Sequence, residues 1–217
     1  MNRGRFITLE GGEGTGKSTL LAALRDKLEA TGQMVVLTRE PGGTELAEEI
    51  RNLVLHPPKG QVWSSMAEAL LMNAARTDHL EKKIRPALAA GSWVLCDRFA
   101  DSTRVYQSVQ NGVGIDVLRM LESSVLGETN PDLTLVLDAP VEQAASRRAE
   151  RGGDADAFEL RDRAFHEAVR QAFIDVARSE PERCMLLDAS RSPSEVANNA
   201  WHEIESRLLG QKQGLPS

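Results

Sequence analysis

The segment Gly11-Gly12-Glu13-Gly14-Thr15-Gly16-Lys17-Ser18 fits the pattern G-x-x-x-x-G-K-[ST], and the chemistry of that pattern is phosphate binding. Glycines let the backbone curl until successive N–H groups point inward, and the positive end of a following helix adds its dipole. Lys17 then places its charge on the β- and γ-phosphates of a nucleotide, Ser18 offers a hydroxyl to Mg2+, and Thr19 stands next to it. A second constellation is Asp97-Arg98-Phe99. The carboxylate of Asp97 suits Mg2+ or its waters, and the guanidinium of Arg98 suits a second phosphate, held through two parallel hydrogen bonds. The cradle alone indicates a nucleotide and leaves the reaction open. An Asn-Lys-x-Asp tetrapeptide for reading guanine is absent from the sequence, which weakens a GTPase reading.

These residues need strands and helices to position them, and the chain supplies both in alternation. Short apolar runs at 5–10, 33–38, 92–97, 132–138 and 184–188 predict five strands buried on both faces. Between the first two, Leu20, Leu21, Leu24 and Leu28 form one face of a helix over 18–30 that Gly32 ends. Ser65 with Glu68 reads as a capping box for a long helix whose face carries Met66, Ala69, Leu70, Asn73, Arg76 and Leu80. Ser192-Pro193-Ser194-Glu195 reads as a second box, followed by Val196, Ala200, Ile204 and Leu208. The polar, glycine-containing stretch 147–156 reads as a mobile loop. The pattern is that of an α/β fold: a five-stranded parallel sheet with helices on both faces. The cradle follows the first strand and Asp97-Arg98 the third, at the C-terminal edge where open parallel sheets bind ligands. One domain over 1–209 is expected, with a disordered tail over 210–217.

Three motifs stand in order at successive strand ends: Glu10 through Ser18, then Thr38-Arg39-Glu40-Pro41-Gly42-Gly43-Thr44, then Asp97-Arg98-Phe99 with Tyr106-Gln107. With them the chain, over about 5–209, resembles bacterial thymidylate kinase, a P-loop nucleoside monophosphate kinase. The resemblance implies transfer of the γ-phosphoryl of ATP to dTMP with Mg2+, usually in a homodimer. It implies that Lys17, Arg98, Arg151 and Glu13 are catalytic, and that ATP lies on residues 11–19 and on Arg147 or Arg148, one of which faces adenine. It further implies that Arg98, helped by Arg51 and with Arg39 as a further candidate, holds the acceptor phosphate. Glu40 is expected beside that phosphate and the metal, together with Ser18 and Asp97. Arg76 corresponds to the arginine on the thymine carbonyl, Thr103 and Gln107 to residues hydrogen-bonded to the base, and Tyr106 to the ring that crowds a ribose 2′-hydroxyl. Met72 stands where many relatives stack a phenylalanine on thymine, and its polarizable thioether can lie against the ring instead. Ala157 stands where a basic residue is common, which moves the closing role to Arg151 in a lid over about 147–157.

Composition sets outer bounds. The 217 residues carry 26 Lys plus Arg against 32 Asp plus Glu, a net charge of −6, which disfavours a nucleic-acid partner. No run approaches the roughly 20 apolar residues of a membrane span, and residues 1–5, which run straight into the first apolar run without a long apolar segment, give no expectation of a secretory signal. Two cysteines, Cys96 and Cys184, are too few for a disulfide framework, so a cytoplasmic protein is expected. The rival readings are a kinase for another nucleoside monophosphate or a deoxynucleoside, and a regulatory module that binds ATP without transferring it.

Overall fold

The computed structural model describes residues 3–110, 112–152 and 156–210, Arg151 by its backbone only. Strands β1 (Phe6–Glu10), β2 (Val35–Arg39), β3 (Trp93–Asp97), β4 (Leu133–Asp138) and β5 (Cys184–Asp188) form a parallel sheet in the order β2-β3-β1-β4-β5. All five expected strands are present, four of them starting one or two residues late. At β1 and β4 the leading polar residues serve the junction instead: the Asp132 carboxylate accepts the Phe6 N–H at 2.7 Å and an Arg5 N–H at 2.9 Å.

Alternate residues of β4 point to opposite faces, and each face has its own helices. Leu135 and Leu137 pack with Leu20, Leu24 and Leu28 of α1 (Lys17–Ala30) and with Val196, Ala200 and Ile204 of α9 (Pro193–Ile204). Val136 packs with Val105 and Tyr106 of α5 (Ala100–Ser108) and with Phe165, Val169 and Phe173 of α8 (Arg163–Ser179). Helix α9 begins with the expected capping box, Ser192 and Glu195 reciprocally bonded.

Three expectations are corrected. Helix α3 (Ser65–His79) is capped by Ser64, whose hydroxyl accepts the Ala67 N–H at 3.2 Å. With the cap one residue earlier, the box position falls on Ala67, and Glu68 is free to turn into the protein interior. The buried side of α3 carries Ala69, Met72, Asn73, Ala75, Arg76 and His79, whereas Met66 and Leu70 are exposed. Finally, 147–151 is not a loop: α7 runs Val141–Arg151, because Ala, Glu and Arg are strong helix formers whatever their polarity, and Gly152 at φ +66° ends it. Residues 153–155 of the expected lid and 211–217 of the expected tail lie outside the described residues.

The remaining helices are α2 (Glu45–Leu55), α4 (Arg85–Ala89) and α6 (Ile115–Leu126), with π-helical turns over Leu80–Ile84 and Glu205–Leu209. Among the described residues no helix is long and apolar enough to cross a membrane, and Cys96 and Cys184 are buried free thiols.

Candidate active site

Strand β1 ends in Glu10, and the loop 11–16 delivers the chain directly into α1. Two glycines there are demanded by space. A Cβ on Gly11, at φ +131°, would lie 2.4 Å from the Leu137 carbonyl oxygen, and one on Gly14, at φ +74°, would lie 2.3 Å from that of Ala144 in α7. The loop is pressed between β4 and α7. Lys17 folds back over it, its Nζ donating to the carbonyls of Gly12 at 2.8 Å and Gly11 at 3.2 Å. Thr15 Oγ1 donates to the Gly12 carbonyl at 3.0 Å. Ser18 Oγ donates to Asp97 Oδ2 at 3.1 Å, so the hydroxyl of one motif and the carboxylate of the other meet. A cleft of about 810 Å³ opens here, lined by Gly14, Lys17, Thr19, Asp97 and Arg147 among others. Arg147 donates to the Ala189 carbonyl at 3.0 Å, and Arg148 reaches the Glu13 carbonyl at 3.4 Å. The Arg151 side chain lies outside the described residues.

Arg98 follows β3 with φ +68°, a left-handed conformation that costs a residue with a Cβ roughly 1–3 kcal/mol. Its neighbours hold it there. Glu10 Oε1 accepts the N–H groups of Phe99 at 2.8 Å and Ser102 at 3.3 Å, and Glu10 Oε2 accepts the Ser102 hydroxyl at 2.6 Å. The guanidinium is thereby laid across the mouth of the cradle. Nη1 donates to the Gly11 carbonyl at 2.9 Å and Ser102 Oγ at 3.0 Å, and Nη2 to Glu13 Oε1 at 2.7 Å and Tyr106 Oη at 3.1 Å.

Electrostatics follow from this packing. Burial and the Asp101 charge push the Glu10 carboxyl up to about 7, against the Ser102 hydrogen bond and the Arg98 charge. Burial also raises Glu13, but the charges of Arg98 and Lys17 and the Tyr106 hydroxyl overcome it and hold Glu13 near 2. Burial, aided by Arg98, lowers the Lys17 ammonium to about 8, against the pull of Glu13, Asp97 and Glu10.

The last of these has a measurable consequence. A phosphate anion placed on Lys17 Nζ would favour the charged form, so nucleotide binding there is expected to take up a proton once the pH nears or passes 8. Calorimetry at pH 8.5 in two buffers of different ionisation enthalpy is expected to show uptake of a fraction of a proton, and little from this group at pH 6.5. Lys17→Arg, always charged, loses the uptake at pH 8.5; equal uptake in both proteins would refute the assignment.

A second cavity, about 90 Å³, is lined by Met72, Arg76, Thr103, Tyr106, Gln107 and Phe158 together with Arg98 and Glu13. Arg76 is 2 % exposed and heavily engaged. Its Nε donates to Glu40 Oε2 at 2.7 Å, Nη1 to Asn73 Oδ1 at 3.2 Å, and Nη2 to Thr103 Oγ1 at 2.9 Å and the Phe99 carbonyl at 3.2 Å. Glu40 Oε1 is paired with His79 Nδ1 at 3.0 Å, and His79 Nε2 lies 2.7 Å from Thr38 Oγ1. Both oxygens of Glu40 are paired, with Arg76 and His79, and the residue also lines the cleft that holds Ser18 and Asp97. Gln107 Nε2 donates to Glu68 Oε2 at 3.0 Å. Arg51 also lines this cavity and donates to the Pro41 carbonyl at 2.9 Å, whereas Arg39 is paired with Glu48 on the surface.

Sequence reasoning missed Glu10, Glu68, His79 and Ser102. Glu10 carried a signal, since a carboxylate closing a buried strand needs donors. Contacts across 39 residues, such as Gln107 to Glu68 and His79 to Glu40, carried none.

P-loop kinases of the nucleoside monophosphate class are organised in this way, with a donor cradle after the first strand and an arginine after its neighbour turned toward an acceptor pocket. The family model for thymidylate kinase matches residues 9–200. The chain is 50 % identical over 209 residues to a thymidylate kinase of Bradyrhizobium sp. (strain ORS 278), covering 95 % of this chain and 92 % of that one. It is 48 % identical to one from Rhodopseudomonas palustris (strain ATCC BAA-98 / CGA009), covering 95 % and 91 %. A crystal structure of thymidylate kinase from Ehrlichia chaffeensis superposes with a TM-score of 0.74 at 32 % identity, over 94 % of this chain and 99 % of that one. The chain belongs to the thymidylate kinase family.

Proposed function

We propose that this protein transfers the γ-phosphoryl group of ATP to dTMP, giving dTDP and ADP. One observation carries the reading: Arg98 and Glu13 line both the donor cleft and the base cavity, so a phosphate on Arg98 stands between the two. A dTMP phosphate oxygen attacks the γ-phosphorus in line, the bond to the β,γ-bridging oxygen breaks, and ADP leaves with that oxygen. The chain's work is to position and neutralise groups that would otherwise repel. Lys17 leaves the Gly11 and Gly12 carbonyls for the β- and γ-phosphates. Arg98 turns from Glu13 toward the acceptor phosphate, with Arg51 beside it. Arg147 and Arg148 stand on the donor side, and Arg151, at the end of the same helix, completes the positive charge around the transferring group.

Ser18 Oγ and Asp97 Oδ2 lie 3.1 Å apart and are hard oxygen donors, which fits Mg2+ held through them or their waters. Bound there, the ion supplies charge neutralisation between the phosphates. In the second cavity Arg76 offers a donor to a thymine carbonyl, Thr103 and Gln107 flank the base edge, Met72 lies against the ring, and Tyr106 closes the sugar side. ATP labelled in its γ-phosphate tests the reading. Label is expected in dTDP; label released as inorganic phosphate at the same rate without dTMP would count against it.

The same proposal makes the protein a cytoplasmic homodimer working as one kinase domain. Leu46 and Leu53 of α2, Met66 and Leu70 of α3, and Val117 and Met120 of α6 are exposed apolar side chains on helices packed side by side. Sedimentation equilibrium is expected to give twice the chain mass, and a Leu70→Glu, Met120→Glu double variant to give a monomer; a monomeric unsubstituted protein would remove this part.

A further inference from the structure

Glu68 has no part in the transfer described above, yet its carboxylate is buried and both of its oxygens are engaged. Oε2 accepts from Gln107 Nε2 at 3.0 Å, and Oε1 accepts from Arg161 Nη2 at 3.0 Å. The Arg161 guanidinium lies over two rings, 4.8 Å from the centroid of Phe165 and 5.4 Å from that of Phe158, so it is held in place from its other side. A carboxylate paired with a cation accepts hydrogen bonds and donates none. Only the NH2 end of the Gln107 amide can face it. Chemistry thus fixes which end of the amide faces Glu68. Gln107 Oε1 is left as the end available to the cavity, and among the described residues no donor reaches it.

Arg76 has been narrowed in a similar way. A guanidinium carries five N–H groups. Glu40, Asn73, Thr103 and the Phe99 carbonyl take four of them, which leaves one, on Nη1, for a ligand. Arg76 therefore keeps one donor, on Nη1, and Gln107 presents an acceptor, on Oε1, among the groups that line the cavity. Thymine and uracil present a carbonyl oxygen at C4 and an N–H at N3, the complement of that pair. Cytosine presents an amino group at C4 and a bare nitrogen at N3, the reverse at both positions.

We propose that Glu68 is the positioning residue that sets base selectivity, by orienting the Gln107 amide so that its carbonyl oxygen accepts the N3–H of an imide base and turns away a 4-aminopyrimidine. The proposal rests on the assignment of this cavity to the base of dTMP and names the residue behind its selectivity. Polar pockets of this kind discriminate strongly because the wrong ligand leaves buried groups unpaired. Glu68 needs no contact with the base to do this; it acts through Gln107.

Glu68→Gln tests the idea, because a glutamine at 68 can donate as well as accept and so lets the Gln107 amide rotate by 180°. The quantities to measure are kcat/KM for dTMP, dUMP and dCMP in the unsubstituted protein and the variant, at enzyme concentrations high enough to read the slow acceptor. The dTMP-to-dCMP ratio is expected to fall tenfold or more, while the dTMP-to-dUMP ratio is unchanged, since both carry the imide. Discrimination is not abolished, because the Arg76 donor still opposes the amino group. A merely structural role would depress all three acceptors together, and that result, or an unchanged dTMP-to-dCMP ratio, overturns the proposal. Glu68→Ala, which leaves the Gln107 amide unoriented, is expected to move the ratio in the same direction and serves if the first variant fails to fold. Failure of the unsubstituted protein to phosphorylate dTMP would strike the functional reading itself, which separates the two.

Discussion

Lys17→Ala is expected to lower turnover with ATP and dTMP on the order of 10³-fold, the loss typical of removing a preorganised donor from a transferring charge. The reason is in the cradle: the ammonium is the one side-chain cation of the motif 11–18, and its hydrogen bonds in the free protein go to two carbonyls that it can exchange for phosphate oxygens. Stability should not follow activity down. Burial holds the Lys17 ammonium near 8, below its ordinary value, so at neutral pH the folded state carries the cost of a charge that the unfolded state solvates freely. Below pH 8 that cost is present in full, and removing the side chain relieves it. Thermal denaturation at pH 7 is therefore expected to give a Tm equal to or above that of the unsubstituted protein. Turnover within tenfold of the unsubstituted protein would contradict the assignment.

Arg98→Ala is expected to cost on the order of 10²- to 10³-fold in kcat/KM for dTMP, about 3–4 kcal/mol of transition-state stabilisation. Arg98→Lys should recover little. A lysine cannot reproduce the fork that reaches Gly11, Ser102, Glu13 and Tyr106 together, and it carries the same left-handed backbone without those anchors. A second signature is independent of activity. Glu13 is held near 2 against its burial mainly by the Arg98 charge, so in Arg98→Ala its carboxyl titrates at higher pH. Carbon-13 NMR of the side-chain carboxyl reads this directly; an unmoved Glu13 titration would show that Arg98 is not its partner in solution.

The parts of the molecule legible in the sequence were those governed by local rules. Strand runs, the cradle between β1 and α1, and the Ser192 box are short-range patterns, and each stands within two residues of its expected place. Helix α3 shows where such rules stop. Its apolar residues serve two sides, with Ala69 and Met72 inward and Met66 and Leu70 outward, so spacing by threes and fours could not say which stripe was buried. The four-residue pattern from Ser65 to Glu68 resembled a cap for the same reason that any serine three residues before a glutamate does. What decided the matter was the demand of a buried amide on α5 and an arginine beyond α7, neither of which is near in sequence. The segment 147–151 is polar without being loose, because its residues favour helix once α7 is anchored against Gly14.

The candidate site divides along the same line. Lys17, Ser18, Asp97 and Arg98 were recognisable because chemistry and strand ends coincide there. The arrangement that makes Arg76 a single-donor group and Gln107 an acceptor depends on Glu40, Asn73 and Glu68, and only three-dimensional packing reveals it.

The measurement that tests the account most directly is ADP formation from ATP and Mg2+ with no acceptor, with dTMP, with dGMP and with thymidine, the products identified by mass. The account predicts ADP formation that depends on dTMP and is matched mole for mole by dTDP, with dGMP and thymidine near the rate without acceptor. Equal ADP formation in all four samples, or dTMP left unphosphorylated while another acceptor is consumed, would contradict it.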